Sequence, residues 1–539
     1  MTSADRFDVV IAGGGLSGLT LAIQLRQDQP ERSVLVIERQ SWPVPEAAHK
    51  VGESSVEIAS HYFENVLGLR GLLDAELRKF GLRFFMSEGE NRNIESRIEC
   101  GPSHFLYVPS YQIDRGQFEN SLAAHASELG VVMAPSTRVT EVEIDAGEED
   151  HRLTLRGPEG ERDIAARWMI DASGRAGLLR KKWGTARKSR HRANAAWFRI
   201  DAELDLNALG SDPSWLARTK EPRWLSTNHL MGPGYWVWLI PLANGRTSVG
   251  IVGDANLHPF ANLSTFDAAR EWLAQHEPQV SELVEANLDR KLDFRAMKQY
   301  AHGIDQVYSA DRWAIIGDAG IFNDPLYSPG SDFIAMGNTL ITDMISRDHA
   351  GEPLDAIAPA YDQLYRSLNR TFLVTYHRNY PVMGHPRIMV IKFLWDFVMY
   401  WGGPALIFCR DQLTNADFMT QAESSLQRFA ALNVRMQAFF REWSEVAEDA
   451  REAPAGVHVD YAEIECLARL NKALHERMEA AGTLVELAAN VELAGEVQNE
   501  ICVTITQEYP KLAPLRGTSE PTTDHFGAVL RALYPGAAG

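Results

Sequence analysis

Phe7 to Ala12 is a short β-rich run that meets Gly13-Gly14-Gly15-Leu16-Ser17-Gly18, and Leu19 to Leu25 then repeats apolar residues at helical spacing. Strand, glycine turn and helix in that order open a βαβ nucleotide-binding unit. A second apolar strand, Val34 to Ile37, ends in Glu38, 20 residues after Gly18. Gly13, Gly15 and Gly18 follow G-x-G-x-x-G, which lets backbone N–H groups and a helix N-terminus approach a pyrophosphate without Cβ clashes. Glu38 is positioned for a ribose 2′-hydroxyl, so FAD or NAD is preferred over NADP.

The chain has 539 residues, enough for two to four domain-sized units. With 45% hydrophobic and 23% charged residues it has the composition of an ordinary soluble enzyme. Lys and Arg total 53 against 72 Asp and Glu, a net charge of -19, which argues against general affinity for nucleic acid or an anionic membrane. Cys100, Cys409, Cys466 and Cys502 stand far apart without C-x-x-C, so neither a disulfide framework nor a zinc site is expected. The first residues lack an apolar export segment, and a cytoplasmic location is expected. Ile388 to Cys409 is long enough to span a bilayer but holds Lys392, Asp396 and a Gly402-Gly403-Pro404 break, so it is read as a buried helix and not a transmembrane one.

Two further strands end at acidic or glycine-rich turns: Arg167 to Ile170 before Asp171, and Arg312 to Ile316 before Gly317-Asp318. Between them, Tyr235 to Leu242 and Arg246 to Val252 flank Ala243-Asn244-Gly245, the pattern of an antiparallel hairpin. From about residue 340 the pattern is helical. The expected architecture is α/β: a Rossmann-like domain over 1–190 and 306–345 that, with Gly317-Asp318 at its last strand, resembles the FAD-binding domain of the two-domain flavin monooxygenases, an inserted antiparallel sheet over 191–305, and a helical C-terminal region over 346–539.

The choice of FAD over NAD comes from resemblance. Gly317-Asp318 resembles the place where flavoprotein monooxygenases carry a ribityl-binding aspartate, and Arg115 resembles their helix arginine near the flavin phosphates. No second G-x-G-x-x-G follows a strand, so reduced flavin or hydride is expected from outside, from a flavin reductase or transient NAD(P)H docking.

Trp236-x-Trp238-x-Ile240-Pro241 fits the W-x-W-x-I-P signature of the flavin-dependent halogenases, the family of tryptophan, pyrrole and phenol halogenases. The resemblance extends from residue 7 to about 340, through His49-Lys-Val-Gly-Glu-Ser54, Lys79-Phe-Gly-Leu-Arg-Phe84 and Asp324-Pro-Leu-Tyr-Ser-Pro-Gly330. It implies that reduced FAD and oxygen form a C4a-hydroperoxide, that chloride or bromide attacks it, and that hypohalous acid reaches a lysine near the substrate. Lys79 resembles that lysine; a solvated helix-end lysine is the competing reading, and Lys50 is the poorer candidate. Trp236 and Trp238, two apart on a strand, project from one face and are read as a substrate wall.

Two residues depart from the family pattern. Tryptophan halogenases have a glutamate where this chain has Tyr327, which favours a phenol, pyrrole or other self-activated substrate. The family's halide site uses the backbone N–H groups of the two residues after the serine, here Pro329 and Gly330, and proline has none to give. Gly330 also counts among the expected cofactor contacts. The residues therefore leave open a halogenase, a flavin monooxygenase or oxidase that does not use halide, and a non-catalytic flavin-binding subunit. Arg180, Lys181, Lys182, Arg187, Lys188, Arg190 and Arg192 crowd thirteen residues and read either as a solvated loop or as a dock for an acidic partner such as a substrate carrier protein or the reductase.

Overall fold

The computed structural model describes residues 6–46, 50–147, 149–447, 454–515 and 523–534, so His49 of the halogenase-like motif lies outside the described residues. They form two compact units. The first comprises Met1–Glu76, Ile113–Arg190 and Ala301–Arg370. Its sheet runs in the order Tyr308–Ser309, Trp313–Ile315, Gly160–Asp171, Arg6–Ala12, Val34–Ile37, Val132–Ala134. Along this path all neighbours are parallel except the first pair, and off it His151–Gly157 pairs antiparallel with Gly160–Asp171 and with Arg138–Glu143. Strands with both faces covered read as continuous apolar runs, as Val9-Val10-Ile11 and Val34-Leu35-Val36 do. The expected strand–turn–helix is present as Arg6–Ala12 followed by a helix over Leu16–Asp28.

The second unit comprises Leu77–Gln112, His191–Tyr300 and Thr371–Gly539. Its sheet runs Arg295–Met297, Ala193–Ile200, Arg246–Asp254, Tyr235–Leu242, Thr227–Gly232, Leu82–Phe85, Glu99–Cys100, His458–Val459. The hairpin forms as its turn chemistry requires: Leu242 pairs with Arg246 and Gly245 takes a φ of +70°. The sheet is mixed and not wholly antiparallel, because Leu82–Phe85 pairs parallel with Thr227–Gly232 and His458–Val459 parallel with Glu99–Cys100. These strands also draw residues 77–112 and part of the C-terminal region into this unit, away from the sequence-based boundaries. Glu99 fixes the junction: it accepts from Arg83 Nη1 at 2.5 Å and from Arg223 Nε at 2.8 Å, all three side chains fully buried.

The apolar segment is a helix over Pro386–Tyr400 that continues through a wide π-turn at Trp401–Ala405 into Leu406–Cys409. Gly402-Gly403-Pro404 thus does not break the chain direction. Phe429 packs so closely on Gly403 that a Cβ there would stand 2.6 Å from its ring. Inside this helix Lys392 and Asp396 pair at 2.5 Å, and Gln437 Nε2 donates to the same carboxylate at 2.8 Å, so the two charges are neutralised within protein. Among the described residues no helix is long and apolar enough to cross a membrane.

Candidate active site

In the first unit the three glycines do different jobs. Gly13 has a φ of +127°, and a Cβ on it would strike the Ala172 carbonyl at 2.2 Å; one on Gly18 would strike the Gly13 carbonyl at 2.0 Å. Both are required by the protein's own packing of turn, helix and strand. Gly15 is not: no atom lies within 4 Å of where its Cβ would be. It caps the Leu16–Asp28 helix without a side-chain hydrogen bond, so the open space lies where first-turn N–H groups can meet a phosphate. A diphosphate fits this cradle.

Of the remaining expected cofactor residues, Glu38 borders the same turn. Glu38 accepts from the Gly14 N–H at 2.9 Å. Arg115 starts the Arg115–Glu128 helix, capped by Asp114, and donates to the Val51 carbonyl at 2.8 Å and to Glu119 at 2.5 Å. Burial pushes the Asp318 carboxyl above its ordinary value, and the charges of Arg115, Arg175 and Arg180 work against that rise. The arginine and the aspartate are therefore coupled. Lys50 is paired with the buried Glu119, which removes it as the reactive lysine. Sequence reading passed over Ser17: its Oγ is buried without a hydrogen-bond partner, and a Cβ on Gly317 would stand 3.0 Å from it. Its place between Gly15 and Gly18 was the available signal.

The turn before the Gly330–His349 helix is strained. Tyr327 and Ser328 take φ values of +68° and +60°, a left-handed conformation that non-glycine residues rarely adopt twice in succession. Asp324 shapes it by accepting from the Leu326 N–H at 2.9 Å. Pro329 caps the helix with φ -74° and ψ -9°, and its carbonyl accepts from the Phe333 N–H at 3.0 Å. Nothing lies within 4 Å of a Cβ on Gly330, whose N–H is a first-turn donor without an intrahelical partner, and the proline before it has no N–H to give.

In the second unit Lys79 is only 3% exposed, which excludes the solvated helix-end reading. Its backbone N–H donates to Ser110 at 2.7 Å, and its neighbour Phe80 donates to Leu225 at 2.9 Å, so the segment is pinned on both sides. Gly81 takes a φ of +70°, and the Tyr461 hydroxyl donates to the Leu82 carbonyl at 2.9 Å.

Beside the lysine lies a continuous aromatic wall. Trp236 and Trp238 stand 5.6 Å apart, His229 is 5.5 Å from Trp236, and Phe84 stacks on His229 at 4.6 Å and on Phe393 at 3.8 Å. Both indole N–H groups are satisfied, Trp236 by the Tyr380 hydroxyl at 2.9 Å and Trp238 by Ser248 at 3.2 Å. Burial, with the nearby Lys79 charge adding to it, pushes the His229 imidazole down to about 3, so the ring is neutral. Nothing in the sequence marks His229 and Phe84 as wall residues; strand register brings His229 opposite Trp238 and beside Phe84.

Residues 6–325 match the family described as FAD binding domain. The chain is 25% identical over 433 residues to flavin-dependent halogenase chlA of Dictyostelium discoideum, covering 74% of this chain and 70% of that one. It is 27% identical over 342 residues to the 1H-pyrrole-2-carbonyl-peptidyl-carrier-protein brominase of Pseudoalteromonas luteoviolacea, covering 62% of this chain and 75% of the brominase. Among solved structures, halogenase PltM in complex with phloroglucinol and FAD superposes with a TM-score of 0.62 over 91% of this chain and 96% of that one, at 14% identity.

Proposed function

The chain belongs to the flavin-dependent halogenases, FAD-dependent oxidoreductases, and from that premise we propose that it halogenates an electron-rich aromatic ring of the phenol or pyrrole type, free or tethered to a carrier protein. The observation that carries this reading is Lys79, buried against an aromatic wall beside a neutral histidine. Bound FAD, supplied reduced by a separate reductase, provides with oxygen the oxidising equivalent that converts halide to hypohalous acid.

The chain's own residues do the rest. Gly13, Gly15 and Gly18 admit the diphosphate, while Glu38, Arg115 and Asp318 hold the ribose, phosphate and ribityl regions. The Lys79 ammonium donates a hydrogen bond to hypohalous acid or, deprotonated, takes up the halogen as an amine. Trp236, Trp238 and Phe84 offer π faces on which a planar ring can stack. Tyr327 supplies no carboxylate, so a ring already activated by its own hydroxyl or ring nitrogen suits the site.

Pro329 favours a second reading, a flavin monooxygenase that does not use halide, since one of two halide donors is absent. Reduced FAD, oxygen and excess bromide with a panel of phenols and pyrroles separate the two. A brominated product supports the halogenase; a product heavier by one oxygen, unchanged by bromide, supports the oxygenase.

A further inference from the structure

The 29 residues between Asp171 and Asp201 contain no Asp or Glu, although the chain's 72 acidic residues in 539 would place about four there. The same stretch holds nine Lys and Arg. A helix over Leu178–Trp183 is anchored by fully buried Leu179 and by Trp183, whose ring lies 4.7 Å from Trp313. Lys181 and Lys182 are left exposed on it. After Gly184 the chain forms the strand Ala186–Lys188, exposed at every residue, which pairs with His302–Ile304 in a two-stranded sheet. Arg187 on this strand pairs with Asp305 and Arg180 is buried, but Lys181, Lys182, Lys188 and Arg190 are exposed and, among the described residues, have no carboxylate in ion-pair range.

Local structure accounts for part of this. Cations in the last turn of a helix complement its dipole, and a charged edge strand resists pairing with other chains. Each needs one or two cations, and neither requires the acids to be absent. Four exposed, unneutralised cations within ten residues of a chain of net charge -19 form a local attractive field for an acidic surface, while the rest of the chain repels it.

We propose that this face, Lys181, Lys182, Lys188 and Arg190, docks an acidic carrier domain that presents the tethered substrate. The inference rests on the carrier-bound form of the functional reading above. A carrier is favoured over a free substrate as the face's partner because a small aromatic acid needs one cation, not four spread over a helix, a strand and the bend after it.

The test is a binding titration with an acidic peptidyl-carrier domain loaded with a pyrrole-2-carbonyl group. It compares the wild type, the quadruple reversal K181E/K182E/K188E/R190E and the neutral K181Q/K182Q/K188Q/R190Q, at two salt concentrations. The reversal is expected to weaken carrier binding at least tenfold at low salt and the neutral variant to fall between. High salt should narrow the gap, and FAD content and conversion of untethered substrate should not change. Equal affinity of all three proteins, or no wild-type binding, overturns the proposal. So does a defect seen only when a flavin reductase supplies the reduced FAD, which assigns the face to the reductase. Because the readout is binding, lack of halogenated product would bring down the functional reading alone and leave the docking face to be decided by the titration.

Discussion

Trp238 lies directly over the backbone of Gly250: the two residues pair across adjacent strands, and a Cβ on the glycine would stand 2.1 Å from the indole. The wall therefore owes its shape to a missing side chain one strand away. Gly250→Ala should push the indole off its place, at the 1–3 kcal/mol typical of overpacking, roughly, and raise KM for the aromatic substrate more than it lowers kcat. Thermal unfolding and steady-state kinetics check this; unchanged values in both would show that the strand absorbs the methyl without moving Trp238.

Glu99, on the strand next to the edge of that same sheet, ties Leu82–Phe85 and the Arg223 segment together. Burial alone would raise its carboxyl; Arg83 and Arg223 outweigh burial and hold it down to about 2, below the ordinary 4.5. Its folded value is depressed, so its contribution to stability is complete above about pH 4.5 and is lost as pH falls towards 2. Glu99→Gln leaves two buried guanidinium groups without their carboxylate and should cost about 3–5 kcal/mol at pH 7. Urea unfolding from pH 7 to pH 3 should show the gap between variant and wild type closing only below about pH 4.5.

The open space at Gly15 makes Gly15→Val a clean test of cofactor binding, because no protein atom within 4 Å stands in the way of the new Cβ. The branched side chain should occupy the diphosphate position and abolish FAD binding in a fluorescence titration, while the apoprotein remains folded by circular dichroism. Wild-type FAD affinity in the variant would remove the cradle from the site.

Lys79→Ala should abolish product while oxidation of reduced FAD and release of hydrogen peroxide continue. Lys79→Arg should fail too, since guanidinium keeps its proton. Loss of product in neither variant would return Lys79 to a packing role. The His229 imidazole, at about 3, stays neutral across the working range and should add no inflection to the pH–rate profile between pH 5 and 9.

The dinucleotide turn was legible because its chemistry is local: spacing, glycine and a strand-end carboxylate lie within 40 residues of the start. The tryptophan strand was legible for the same reason. What eluded sequence reading is long-range pairing. Nothing in Leu82–Phe85 or His458–Val459 announces a parallel partner about 145 or 359 residues away. With those pairings hidden, the stacking of Phe84 on His229 and Phe393 could not be read, nor could the boundary that places Lys79 in the second unit. The left-handed Tyr327 and Ser328 were equally hidden, because local propensity disfavours them and only the surrounding fold enforces them.

On the proposed halogenase reading, Pro329 is the residue that tests whether the site takes halide. Its φ of -74° and ψ of -9° are accessible to serine, so removing the ring does not strain the residue itself. The left-handed Ser328 before it sits in a conformation that a following proline disfavours, and substitution relieves that clash. That relief offsets the roughly 0.4–1 kcal/mol that a well-fitting proline contributes through the unfolded chain. Pro329→Ser should therefore fold with near wild-type stability and add one N–H beside that of Gly330. A charge-assisted hydrogen bond of about 1.5–3 kcal/mol corresponds to about ten- to a hundredfold tighter halide binding. The measurement is the bromide concentration giving half-maximal brominated product, which should fall by that factor. A wild type and variant equally indifferent to bromide would mean that this helix end serves the flavin alone, and the halide-free oxygenase reading would then lead.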